Sequence, residues 1–200
     1  MIVHTDLQQG SPDWLKARLG KISASKVSSI MGKRGFGKTG ETYAVELTTE
    51  LILQEPTFVP VNFAMEFGTE NEPFAREIYE DNRGVKVEEV GGIEKDGLWF
   101  SPDGLVGEDG IIEIKCPQPS QHMRNLLSDT VLPQYIDQIQ FGLMVSGRKW
   151  CDFISFNPDF PDQLKAKVIR VENDYEHQTR MSNNIDKFKI LLSQFKNKLV

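Results

Sequence analysis

Apolar positions recur along this chain with two periods, every three to four residues in some stretches and every second residue in others, and the alternation marks out its elements. Ser11-Pro12-Asp13 starts a helix with a hydroxyl N-cap and a proline at the first helical position, and Gly20 stands past its end. Ser23-Ala24-Ser25 opens a second helix, which runs to Met31 and stops at Gly32. Residues 41–54 place Tyr43, Ala44, Leu47, Leu51 and Ile52 on a helical face. After a proline-bounded loop Asn62 begins another helix, with Thr69-x-x-Glu72 as a capping box and Gly84 as its stop. Residues 85–90, 98–101 and 111–115 read as strands of one mostly antiparallel meander. Pro133 opens a helix to Gly147, residues 150–156 and 166–171 are two further strands, and Asn173 starts a long final helix. Its apolar face is Ile185, Phe188, Leu191, Leu192, Phe195 and Leu199. This order predicts an α/β fold, a layered mixed β-sheet flanked by helices.

With 200 residues and 39% hydrophobic content, the expected organisation is a single domain, 1–200, with a substantial core. No signal-peptide pattern opens the chain and no run approaches the ~18 apolar residues of a membrane span, so a cytoplasmic protein without membrane contact is expected. Cys116 and Cys151 lack zinc-site spacing, and His4, His122 and His177 lie far apart. The net charge of −6 at first opposes a nucleic-acid partner, but its distribution changes the picture. Residues 14–40 carry seven bases (Lys16, Arg18, Lys21, Lys26, Lys33, Arg34, Lys38) and no acid, whereas residues 66–96 carry ten acids against four bases. A basic stretch of this kind can track phosphates.

The chemistry concentrates in SPDGLVGEDGIIEIKCP, residues 101–117, with the pattern P-D-x9-E-x-K formed by Asp103, Glu113 and Lys115. Pro102 and Gly104 bend the chain around the aspartate, and Gly107 to Gly110 supplies a hairpin turn. Strand alternation puts Glu113 and Lys115 on one face and Ile112 and Ile114 on the other. If the hairpin returns Asp103 beside them, two carboxylates and an ammonium converge, a set suited to Mg²⁺ and phosphodiester hydrolysis. The competing reading is an amphipathic strand with solvated charges. One of Glu66, Glu70 and Glu72 could turn inward to complete the site. Upstream, Arg18, Lys21 and the hydroxyls that open the second helix offer a place for an anionic group.

Gly32 to Gly40, GKRGFGKTG, also fits the phosphate-loop pattern G-x-x-x-x-G-K-[ST]. Such a loop follows a buried strand, and the Ser-rich segment before it reads as helix, so a basic loop touching nucleic acid through Lys33, Arg34 and Lys38 is preferred.

Four segments in order carry a family resemblance: WLKARLGKISAS (14–25), EFGTENEPFAR (66–76), the 101–117 hairpin, and YIDQIQFGLMVSGRKWCDFISFNP (135–158). With these, nearly the whole chain resembles the phage lambda exonuclease family, the alkaline exonucleases of phage recombination systems within the P-D-(D/E)-x-K nuclease superfamily. The resemblance implies a restriction-endonuclease-like core and a processive exonuclease. Such an enzyme digests the 5′-ended strand of linear duplex DNA to mononucleotides and leaves 3′ overhangs. It further implies Mg²⁺ as cofactor, as two ions that Mn²⁺ can replace, a ring-shaped homotrimer, a single-strand annealing protein as partner, and a phage protein acting in the host cytoplasm. By matched position, Asp103, Glu113 and the backbone carbonyl of Ile114 become metal ligands and Lys115 the water-activating residue. Glu72 becomes the additional acid, Gln138 an active-site residue, and Arg18 and Ser25 contacts to the 5′-phosphate. The glycine-rich loop departs from the family pattern. A structure-dependent endonuclease on the same scaffold, a DNA-binding module with a vestigial site and a phosphate-loop nucleotide-binding protein remain the alternatives.

Overall fold

Two mixed sheets, rather than the single meander expected, organise the chain. The computed structural model describes residues 1–32, 35–57, 60 and 62–199. Strands β1 (Ile2–His4), β2 (Ile22–Ser23), β4 (Gly92–Lys95) and β5 (Leu98–Phe100) form the first sheet, in the order β1-β4-β5-β2. The second sheet is β3-β6-β7-β8-β9, from β3 (Val87–Glu88), β6 (Gly104–Val106), β7 (Gly110–Lys115), β8 (Trp150–Phe156) and β9 (Ala166–Glu172). The meander divides at Pro102, which has no N–H to continue a ladder and turns the chain from one sheet to the other. β4 and β5 close through Asp96-Gly97, whose φ values of 52° and 78° are those of a two-residue hairpin turn.

The helices follow their caps. Ser11 accepts the Trp14 N–H and starts α1 (Pro12–Arg18). The segment Ala24–Ile30 is a 3₁₀ helix rather than an α-helix. α2 (Gly37–Leu53) begins four residues before its expected start, so Lys38 and Thr39 belong to its first turn. α3 (Phe63–Arg83) is capped by Asn62 and ends at Gly84 with φ 62°, and the expected capping box lies inside it, where Thr69 Oγ1 donates to the Met65 carbonyl. α5 (Pro133–Ser146) and α6 (Tyr175–Leu199) match their sequence signals. α4 (Pro119–Leu127) was not expected, because its buried residues include the polar His122 and Asn125.

The pleat of β7 sorts the core. Ile111 joins the larger cluster with Phe153, Phe141 and Ile139 of α5, while Ile112 and Ile114 join a second cluster with Ala75 and Tyr79 of α3. Each fully buried isoleucine contributes roughly 1.5–3 kcal/mol. Tyr79 also donates to Asp152 on β8 at 2.8 Å, an acid gripped by the Arg170 fork at 2.7 and 2.8 Å, which locks α3 across the sheet. Glu113, on the other face, therefore points toward α5. Among the described residues no helix is long and apolar enough to cross a membrane.

Candidate active site

The hairpin of β6 and β7 forms as its sequence predicts, with Gly104 opposite Ile112 and Val106 opposite Gly110. Ile114 thus lies two positions beyond Ile112, the last residue paired with β6, and Asp103 supplies the missing partner: its Oδ2 accepts the Ile114 N–H at 2.6 Å. A strand residue directs its N–H and C=O to the same neighbour, so the Ile114 carbonyl also faces the Asp103 side. Glu113 is 1% exposed, and its Oε1 accepts both the Lys115 ammonium and the Gln138 amide, the latter at 2.5 Å. Proline at the start of α5 and the helical period bring Gln138 onto the face that meets β7.

Of the three acids at the start of α3, Glu66 and Glu70 are exposed and Glu72 turns inward. Arg76, one turn later, holds the group together. Its Nη2 donates to Glu72 Oε1 at 2.6 Å, its Nε to the Asp103 carbonyl at 3.2 Å, and its Nη1 pairs with Glu89 at 3.0 Å. The i,i+4 spacing from Glu72 is a sequence signal that could have found it.

Burial dominates the electrostatics. It pushes the Glu113 carboxyl up to about 7 against the pull of Lys115, with the Asp103 charge adding to the rise. Glu72 rises to about 7 through burial and the nearby Asp103. Asp103 is also raised by burial, opposed by Lys115 and the Ile114 N–H. Burial works against the Lys115 charge, but Glu113 and Asp103 outweigh it and hold the ammonium above its ordinary range. Three carboxyls thus face two cations, and the site has an excess of acid that a further cation would satisfy.

Among the described residues no three His, Cys, Asp or Glu side chains form a ready-made metal cage. The donor set nevertheless fits Mg²⁺, which is held by one or two carboxylates while waters and substrate phosphate complete its octahedron. Among the described residues, no donor reaches Oδ1 of Asp103 or Oε2 of Glu113.

Asp103, Glu72, Arg18 and Ser25 all line one cleft of about 1220 Å³. The Arg18 guanidinium lies over the Trp14 ring, 4.5 Å from its centre, with no carboxylate hydrogen-bonded to it among the described residues. Burial lowers its pKa, opposed by Tyr43 and Glu50. The rest of the basic stretch is less available than its composition suggests, since Lys21 pairs with Glu94 at 2.7 Å and Lys26 with Glu46 at 3.1 Å. Lys38 is exposed on the first turn of α2, and Lys33 and Arg34 lie outside the described residues. A 3₁₀ helix, not a buried strand, leads to the glycine-rich segment, which removes the structural context of a phosphate loop. His122 is wholly buried between Ser155 and the Leu164 carbonyl, each at 2.8 Å.

The family model described as the YqaJ-like viral recombinase domain matches residues 13–149. A search of curated proteins gives no match. Among solved structures the chain is similar to LHK-Exo, an alkaline exonuclease from Laribacter hongkongensis. The two are 35% identical over 94% of this chain and 98% of that one, with a TM-score of 0.82. The complex of the same enzyme with dAMP gives 0.83 at the same identity and coverage. A phage-related exonuclease from Haemophilus somnus 129PT shares the fold at 14% identity, covering 90% of this chain and 96% of that one, with a TM-score of 0.75.

Proposed function

Because the chain belongs to the YqaJ-like viral recombinase domain family, and is a nuclease of the alkaline exonuclease type, we propose that it digests linear duplex DNA from 5′ ends. It releases mononucleotides and leaves 3′ single strands for recombination. The observation that carries this reading is the cleft itself, lined both by Arg18, which has no carboxylate hydrogen-bonded to it among the described residues, and by Asp103 of the acid-lysine cluster.

Arg18 grips the terminal 5′-phosphate through its planar fork, with the Ser25 hydroxyl as a second donor. Asp103, Glu113 and the Ile114 carbonyl are the residues that would hold Mg²⁺, or Mn²⁺ in its place, as one ion or a pair. When bound, the metal lowers the pKa of a water to give the nucleophile and neutralises phosphate charge. Lys115 stays protonated, orients that water and stabilises negative charge on the phosphate. Gln138 fixes the Glu113 carboxylate, and Glu72 is the additional acid, held in place by Arg76. The dAMP bound by LHK-Exo is of the size of the product proposed here.

The reading extends to a single nuclease domain, a processive homotrimer around DNA and a single-strand annealing protein as partner. The ring is supported by an apolar groove between α2 and α6, lined by Val45, Ile52 and Leu199, each more than half exposed.

The deciding experiment incubates linear and covalently closed duplex DNA with and without Mg²⁺. Linear DNA is expected to yield mononucleotides and a resected 3′ strand only with the metal, and closed circles are expected to stay intact. Efficient cutting of circles would establish the structure-dependent endonuclease instead.

A further inference from the structure

The segment that carries Arg18 is fastened to the segment that carries Asp103 by two side chains outside the chemistry. Gln9 Nε2 donates to the Val90 carbonyl at 3.0 Å and to the Pro102 carbonyl, adjacent to Asp103, at 2.9 Å. Trp14 Nε1 donates to the Gly91 carbonyl at 2.8 Å and to Ser101 Oγ at 3.0 Å. Both bonds of each residue span the same two chain segments, 90–91 and 101–102, so they act as two rungs side by side.

The Ser101 hydroxyl is the fixed point. It accepts from Trp14 and from Trp99 Nε1 at 2.9 Å, and donates to the Gly91 carbonyl at 2.8 Å, so its one hydrogen and both lone pairs are used. Trp99 is 1% exposed and roots the hydroxyl in the core. The Trp14 ring in turn carries the Arg18 guanidinium on its face. A continuous, fully bonded path therefore runs from the guanidinium to the residue two positions before Asp103.

An exonuclease that removes one nucleotide at a time must hold the terminal phosphate and the next one at a set separation. Successive phosphates on one strand advance only ~3.4 Å along the duplex axis, and a misplacement of ~1 Å can cost about 100-fold in rate. We infer that Gln9 and Trp14 are positioning residues that fix the spacing between Arg18 and Asp103, and thereby limit the product to a single nucleotide. This rests on the 5′-exonuclease reading above.

The test compares wild type with Trp14→Phe, which keeps an aromatic ring beneath Arg18 but has no N–H, with Gln9→Met, and with both together. Each digests 5′-phosphorylated linear duplex, uniformly labelled, in Mg²⁺, and the products are sorted by length. The expected result is that the share of dinucleotides and longer products rises at least about tenfold in the double variant, with smaller rises in the single ones. Variants that are slower but release mononucleotides in the wild-type proportion would overturn the inference and leave these residues a structural role. Should the double variant not fold, the single variants decide by the same measure. Failure of the underlying reading looks different, because wild type itself would then show no preference for linear over circular DNA.

Discussion

The amide of Gln138 and the ammonium of Lys115 meet on the same oxygen of Glu113. One carboxylate oxygen is thereby held by two donors, which orients the other. Gln138→Ala should keep the fold and lower kcat by roughly 10–100-fold, the usual cost of losing a partner that orients a metal ligand, the role proposed for Glu113. Single-turnover rates and metal titration would check this, and an unchanged rate would remove Gln138 from the site.

Asp103 has a second task besides the one proposed for it, since it caps the Ile114 amide at the open end of β6. Asp103→Asn preserves an acceptor for that amide and removes a buried charge from a cluster of three acids. We expect activity to fall by orders of magnitude while the melting temperature of the metal-free protein rises, as it does where function imposes local instability. A lowered melting temperature would show that the charge contributes to folding.

The pH dependence of stability has a definite sign. Glu72 and Glu113 have folded-state pKa values of about 7 against an ordinary 4.5, so the folded chain binds protons more tightly than the unfolded chain. Their contribution is complete below about pH 4.5 and is lost as pH rises through about 7. With metal chelated, melting temperature should decline from pH 5 to pH 8, and Mg²⁺ at pH 8 should recover it. A melting temperature that climbs over that interval would contradict the burial of these acids.

Arg18 has an aromatic platform and no carboxylate partner hydrogen-bonded to it among the described residues, so its loss should be felt in substrate choice. Wild type should digest duplex with 5′-phosphates faster than duplex with 5′-hydroxyls, and Arg18→Ala should narrow that ratio. Arg18→Lys should restore little of it, because an ammonium cannot make the two parallel bonds of a guanidinium. Equal rates on both ends by wild type would end the role.

Local information made the hairpin legible. Gly107, with φ 53°, shapes the turn, strand alternation aims Glu113 and Lys115, and helical period aims Gln138. Identifying Glu72 among three neighbouring acids drew on the family resemblance, although its i,i+4 pairing with Arg76, which Glu66 and Glu70 lack, was a local signal for it. The split into two sheets and the Gln9 and Trp14 contacts were not legible. Those bonds join residues 77 to 93 positions apart, and neither periodicity nor capping reports on such pairs. α4 was hidden for another reason, because its buried His122 and Asn125 are satisfied by Ser155 and give no apolar stripe.

The lysine and arginine that sit among the three acids act as built-in counter-ions. Arg76 and Lys115 already balance most of the negative charge, so the fold does not depend on an ion arriving to hold the cluster together. Chelation should therefore silence the protein without dismantling it. On the function proposed above, the ion starts digestion in a site that is already assembled, and its removal stops the chemistry without undoing the fold.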